Sequence, residues 1–220
     1  MAAHPRTAAG LFPPPGVTGV VFDVVGTLVE PAAAVAETYA AAGRRHGIDL
    51  EPTVVALRFA AAWRRQESID ALATVPFATS RDRERQRWAG IVADVFGGGD
   101  TAAAIFADLW VRYALPEAWR PIAAGAALAH SAIDAGLVVA VASNFDERLL
   151  AMAPALDPLQ RIDEVLPSSE IGWRKPAAAF FRHVERRLRR RPGELLYVGD
   201  DPDLDVAAAR AAGWRAMLVG

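Results

Sequence analysis

The stretch GVVFDVVGTLVEP, Gly19 to Pro31, begins as a strand and breaks into a glycine turn with one carboxylate, Asp23, at the join. From Val17 to Phe22 the apolar residues do not alternate with polar ones, the pattern of a strand buried on both faces. Such a strand belongs inside a parallel sheet. Similar valine-rich runs lie at Leu137 to Ala142, Leu195 to Val198 and Trp214 to Val219, with a weaker one near Glu164 to Pro167. Helical patterns separate the later runs, at Glu147 to Met152, Ala177 to Arg190 and Leu204 to Ala212. Strands alternating with helices predict βαβ units with right-handed crossovers, and so a doubly wound parallel α/β sheet. The final run, WRAMLVG, reaches the end of the sequence, which leaves either a bare sheet edge or a sequence short of its natural terminus.

Between the first strand and the second, no comparable strand signal occurs. The spacing predicts helices over Ala32 to Arg45, Pro52 to Ser68, Arg83 to Phe96 and Thr101 to Tyr113, with Asp100 as the N-cap of the last. Four consecutive helices inside an α/β pattern predict an inserted helical subdomain over 32–115, with the sheet domain formed by 17–31 and 116–220. A further helix is expected over Pro121 to Ala135. Trp63, Trp88 and Trp110 read as the core of the helical insert. The leader, residues 1–16, reads as a flexible or loosely docked tail.

Composition narrows the function classes. The chain has 220 residues, 53% of them hydrophobic, and a net charge of −2, which gives no electrostatic footprint for nucleic acid. The absence of cysteine excludes a disulfide framework, a thiolate metal site and a thiol nucleophile, and fits a reducing, cytoplasmic setting. His4, His46, His130 and His183 are too scattered for a metal cluster. No apolar run approaches the roughly 18 residues of a membrane span, so no membrane partner is expected. The oligomeric expectation is a monomer or a homodimer.

In an open parallel sheet, ligands bind beyond the carboxyl ends of the strands. The residues there are Asp23 with Gly26 and Thr27, Ser143 with Asn144, and the acidic run GDDPDLD from Gly199 to Asp205. The loop GWRKP, Gly172 to Pro176, brings Lys175 to the same edge. Singly, each has an ordinary structural explanation as a turn residue, a cap or a surface charge. Together, a carboxylate, a hydroxyl, a lysine and an acidic cluster would share one crevice.

These segments resemble the four motifs of the haloacid dehalogenase superfamily of hydrolases, in the subfamily with a helical cap after the first strand. The Asp-x-Asp-Gly-Thr-Leu pattern is matched by DVVGTL except at its third position, Val25. VASNFD supplies Ser143, GWRKP supplies Lys175, and VGDDPDLD supplies the acidic motif, all in the family's order. SNFD, RKP and the non-Asp third position are also similar to the branch typified by haloacid dehalogenase-like hydrolase domain-containing protein three. The resemblance implies a Rossmann-like core, Asp23 as nucleophile, and a small phosphorylated substrate. It implies Mg²⁺ held by Asp23, the Val25 carbonyl and Asp200, with Asp201 and Asp205 orienting its water. Ser143 and the amides near Asn144, at a helix start, would hold phosphoryl oxygens, with Thr27 also on the substrate side, and Lys175 would neutralise their charge.

Valine at position 25 departs from that family pattern, since it can neither protonate a leaving oxygen nor deprotonate water. General acid-base help is worth about 10²–10⁴ in rate. Three readings stay open: a Mg²⁺-dependent phosphohydrolase for good leaving groups, or with Asp201 or Glu30 recruited; carbon–halogen or carbon–phosphorus cleavage; and a phosphate- and Mg²⁺-binding module without turnover. The first is preferred, because the acidic run suits a cation and the segment from Pro31 to Leu115 has no lysine for a Schiff base. Substrate choice falls to the cap, where Arg64, Arg65 and Gln66 are candidate contacts for an anion and Trp173 is a candidate for the entrance.

Overall fold

The structure, a computed structural model, describes residues 6–7 and 10–220. Of the stretch read as a tail, 1–5, 8 and 9 lie outside the described residues. Strand β1 (Arg6–Thr7) pairs antiparallel with β2 (Gly10–Leu11). Phe12 then sits in the main core at 1% exposure, so the expected flexibility does not extend to it: burying an aromatic ring holds this end of the leader down.

The first apolar run forms β3 (Gly19–Phe22), every residue of it buried. A short strand, β4 (Val29–Pro31), leads into helices α1 (Val35–Arg45), α2 (Pro52–Ala71), α3 (Arg81–Phe96) and α4 (Gly99–Arg112). Ser80 caps α3 by accepting from the Arg83 amide, and Gly97 ends it at φ +92°. The N-cap of α4 is Gly98, not Asp100, which lies in the helix's first turn, where its charge faces the positive end of the dipole. The chain returns through β5 (Trp119–Pro121), antiparallel to β4, where a helix start at Pro121 was expected. Helix α5 (Ala123–Asp134) leads to β6 (Val138–Ser143), and α6 (Arg148–Met152) to β7 (Glu164–Pro167). Then follow α7 (Ser168–Ile171), α8 (Ala178–Leu188), β8 (Leu195–Gly199), a wide helical turn over Pro202–Ala207, α9 (Ala208–Ala211) and β9 (Arg215–Leu218).

The main sheet is parallel, in the order β7-β6-β3-β8-β9. Reading the strands in sequence order, the chain moves outward on one side of β3 and then returns to the other, which is the doubly wound arrangement. Apolar clusters cover both faces of this sheet. A third cluster, with Tyr39, Val55, Val95, Phe96, Ile105 and Leu109, lies inside α1–α4. The tryptophans of these helices are not in it. Trp63, Trp88 and Trp110 are each half-buried against an open cavity, described below.

Candidate active site

The crevice forms where the chain reverses direction about β3, between β3 and β8. Asp23 follows β3 directly, and its amide continues the pairing by donating to the Val198 carbonyl at 2.9 Å. After it, Gly26 turns the chain at φ +86°. A side chain there would run into the Asp200 carboxylate, so glycine gives that carboxylate its seat. Gly199 plays the same part for Asp205.

Oxygens of Asp23, Asp200 and Asp205 lie within 4.8 Å of one another. Lys175, 3% exposed, donates from Nζ to Asp23 Oδ1 at 2.8 Å and also to Asp205. Burial opposes its ammonium, but Asp23 and Asp205 outweigh that and hold it well above the usual lysine range. Burial and the Asp23 charge raise the Asp200 carboxyl. Burial likewise pushes Asp205 up to about 6, against the pull of Lys175. Three carboxylates thus face one ammonium, a surplus of negative charge on an all-oxygen set that suits a hard divalent cation. The turn's own hydrogen bonds fall on the Val24 and Val29 carbonyls and leave the Val25 carbonyl out.

Several expected roles change. Thr27 is buried and donates to Asp200 Oδ1 at 3.0 Å, so its hydroxyl is engaged in positioning that carboxylate. Asp201 accepts from the Asp203 and Leu204 amides, both at 2.8 Å, and caps the following turn. Glu30 pairs with Arg120 at the surface. Neither acid stands ready to replace the aspartate missing at 25. Ser143 is buried at the end of β6, but α6 starts only at Arg148 and the Phe145 amide bonds the Ser143 carbonyl, so no helix start faces the crevice here. Asn144 clasps the lysine loop: it accepts from the Lys175 amide at 2.7 Å and donates to the Lys175 carbonyl at 3.1 Å.

Val25 is 36% exposed and, with Asn144, lines a cavity of about 570 Å³ between the strand ends and the helical unit. Arg64 lines this cavity, whereas Arg65 is engaged with Asp94 at 2.9 Å on the surface.

The residue before Lys175 was not singled out from the sequence. Arg174 is buried and pairs with Glu84 through Nη1 at 2.7 and 2.8 Å, close to Glu67 and Asp70. Arg87 and Arg83 complete the cluster on the same acids. Burial opposes the Glu84 carboxylate, and the Arg174 guanidinium outweighs it, leaving its pKa below the usual range. Beside this cluster the Arg174 amide donates to Phe77 and the Thr79 amide to Gly172, at 2.9 and 3.0 Å. Trp173 bridges Ala78 in the same strap, away from the cavity lining. The α2–α3 connection is thereby stitched to the loop that carries Lys175. A possible signal was the spacing: Glu67 and Asp70 three apart on α2, Arg83 and Arg87 four apart on α3.

Comparison with known proteins bears on the family and the fold. A family model for haloacid dehalogenase-like hydrolases matches residues 17–213. The human haloacid dehalogenase-like hydrolase domain-containing protein 3 is 29% identical over 206 residues, covering 91% of this chain and 80% of that protein. Among solved structures, a defluorinating L-2-haloacid dehalogenase has a TM-score of 0.71 at 21% identity, covering 93% of this chain and 83% of its own. A hydrolase-class protein from Bacillus subtilis, solved bound to magnesium, has a TM-score of 0.67 at 19% identity, covering 92% and 88%. At those identities the structures establish a common fold, and no helix among the described residues is long and apolar enough to cross a membrane. The family model spans the motifs that meet in the crevice, and the chain belongs to the haloacid dehalogenase-like hydrolases.

Proposed function

We propose that the crevice belongs to a Mg²⁺-dependent phosphohydrolase that works through an aspartyl-phosphate on Asp23, for small phosphorylated compounds whose leaving groups need no proton. The observation that carries this reading is the Lys175 ammonium shared by Asp23 and Asp205, with Asp200 beside them. Asp23 attacks phosphorus in line, the ester bond breaks, and the leaving oxygen departs with the electron pair. Lys175 holds Asp23 in place and offsets charge shared with the phosphoryl group. Ser143 is the nearby hydroxyl available to a phosphoryl oxygen. Asp23, Asp200 and the Val25 carbonyl would hold Mg²⁺, which when bound lowers the repulsion between a carboxylate and an anionic phosphate. Water then cleaves the aspartyl-phosphate and regenerates Asp23.

Val25 leaves both steps without the usual proton transfer, and neither Asp201 nor Glu30 supplies it. The reading therefore favours acyl and aryl phosphates over alkyl ones, with slow release of phosphate from Asp23. Phosphate release from acetyl phosphate and phenyl phosphate, with and without Mg²⁺, tests it. Turnover lost on removing Mg²⁺ and on Asp23→Asn is expected. Tight binding of inorganic phosphate without turnover would instead favour a binding module, the second reading that Val25 supports. Carbon–halogen cleavage fits less well, because a carboxylate substrate would meet three further carboxylates.

A further inference from the structure

The cavity beyond Val25 is built mainly of aromatic side chains from the helical unit. Tyr39, Phe59, Trp63, Trp88 and Trp110 line it, with Trp119 from β5. The rings are arranged against one another: Phe59 and Trp63 stack at 6.1 Å, and Trp63 and Trp88 lie 5.8 Å apart. Asn144, Asp146 and Arg148 in its wall are engaged, whereas the Tyr113 hydroxyl is buried without a partner among the described residues. Arg148 makes two 2.7 Å bonds to Asp146, donates to the Trp110 carbonyl at 3.1 Å, and lies 3.7 Å above the Trp110 ring. The tryptophans stay half-buried around an open space, while the neighbouring core of the helices is filled without them.

We propose that this cavity receives the leaving group of the substrate, and that the leaving group is aromatic: the enzyme acts on phosphate monoesters of phenols. This rests on the phosphohydrolase reading above. Two separate features select the same chemistry. Offset and edge-on ring packing favours an aromatic guest over an aliphatic one of equal area. Val25, at the boundary between crevice and cavity, offers a guest an apolar contact and no proton, and a phenolate departs without one where an alkoxide does not. The volume of about 570 Å³ accommodates a fused ring system. The stitching at Arg174 keeps the helical unit against the strand ends, so the walls are in place before a ligand enters.

The test compares acetyl, phenyl and 2-naphthyl phosphates under Mg²⁺, and separately follows quenching of tryptophan fluorescence by 2-naphthol, which has no phosphate. The naphthyl ester should exceed the phenyl ester in kcat/KM by roughly tenfold or more, since an apolar pocket discriminates by added surface. Ala60→Trp, which fills the cavity from exposed α2, and Trp63→Ala should each shrink that naphthyl-to-phenyl ratio toward one. 2-Naphthol should quench, and should do so in the Asp23→Asn protein as well. Equal kcat/KM for phenyl and naphthyl esters, or no quenching by 2-naphthol, overturns the proposal. Should no phosphate ester be hydrolysed, the phosphohydrolase reading fails by itself; 2-naphthol quenching that Ala60→Trp abolishes would still support an aromatic-binding cavity, and its absence would overturn that too.

Discussion

Arg174 and Lys175 are adjacent in the chain, both almost fully buried and both bonded to carboxylates, yet they end in differently charged surroundings. Around Arg174, three guanidiniums meet three carboxylates: Arg83, Arg87 and Arg174 with Glu67, Asp70 and Glu84. Around Lys175, one ammonium meets Asp23 and Asp205, with the exposed Asp200 carboxylate beside them. The first cluster is closed on itself and joins α2, α3 and the lysine loop. The second carries negative charge that the protein leaves unpaired, an imbalance that costs stability and on which the proposed cation and reaction rest. Buried charge alone is thus a poor marker of a site; buried charge out of balance is a better one.

That contrast can be tested from either side. Asp23→Asn should lower phosphate release from phenyl phosphate by about a thousandfold or more while leaving the urea midpoint of the metal-free protein unchanged or higher, because it relieves the unbalanced cluster. A clear fall in the midpoint would mean that the crevice is a structural ion cluster after all. Val25→Asp adds a fourth carboxylate: hydrolysis of alkyl phosphates should rise by about 10²–10⁴, with lower stability when Mg²⁺ is absent. Unchanged rates would show that position 25 does not face the leaving group.

Glu84→Ala leaves Arg174 without its closest partner and should cost about 3–5 kcal/mol in urea unfolding, whereas Glu84→Leu with Arg174→Met should recover most of it. Failure of the double variant to recover would mean that the charges do more than fasten two surfaces. Asn144→Ala releases the clasp on Lys175 and should lower kcat by roughly tenfold or more through misplacement, with a stability loss of only about 1 kcal/mol.

The smallest effect, and the sharpest contrast, is in pH. The Glu84 pKa lies below its usual value when folded, so its contribution is present above about pH 4.5 and is lost as pH falls through the lowered pKa. Asp205 is raised to about 6, so in metal-free protein its contribution is present at low pH and is lost as pH rises through about 6. Thermal unfolding in EDTA from pH 3 to 8 should show both slopes. Glu84→Gln should flatten only the acid one, and loss of both would show that the two clusters titrate as one.

The sequence made the sheet legible because its central strands are apolar runs, β3 and β8 buried throughout, and it placed Asp23, Ser143 and Lys175 at one edge because parallel strands all end there. The expected burial of the last run on both faces does not hold, since β9 lies at the sheet edge with Arg215 and Leu218 exposed. It hid β4 and β5, three residues each and both ending in proline. It also hid the Arg174 cluster, since Arg83 and Arg87 in RDRERQR look like a solvated helix face until α2 supplies its acids. Asp201 and Thr27 were assigned by position within their motifs, but local geometry made one a cap and the other a support for Asp200. The tryptophans were read as core because apolar spacing records which face a helix turns inward, not whether anything fills the space there.

The strap between Thr79 and Gly172 and between Arg174 and Phe77 carries a consequence for how the molecule opens. With β4 and β5 paired where the chain enters and leaves the helical unit, and this strap fastening the α2–α3 connection, the helical unit is held to the sheet at more than one place. Amide hydrogens of α2, α3 and the 172–174 segment should therefore exchange with solvent as one cooperative unit, at one shared free energy of opening.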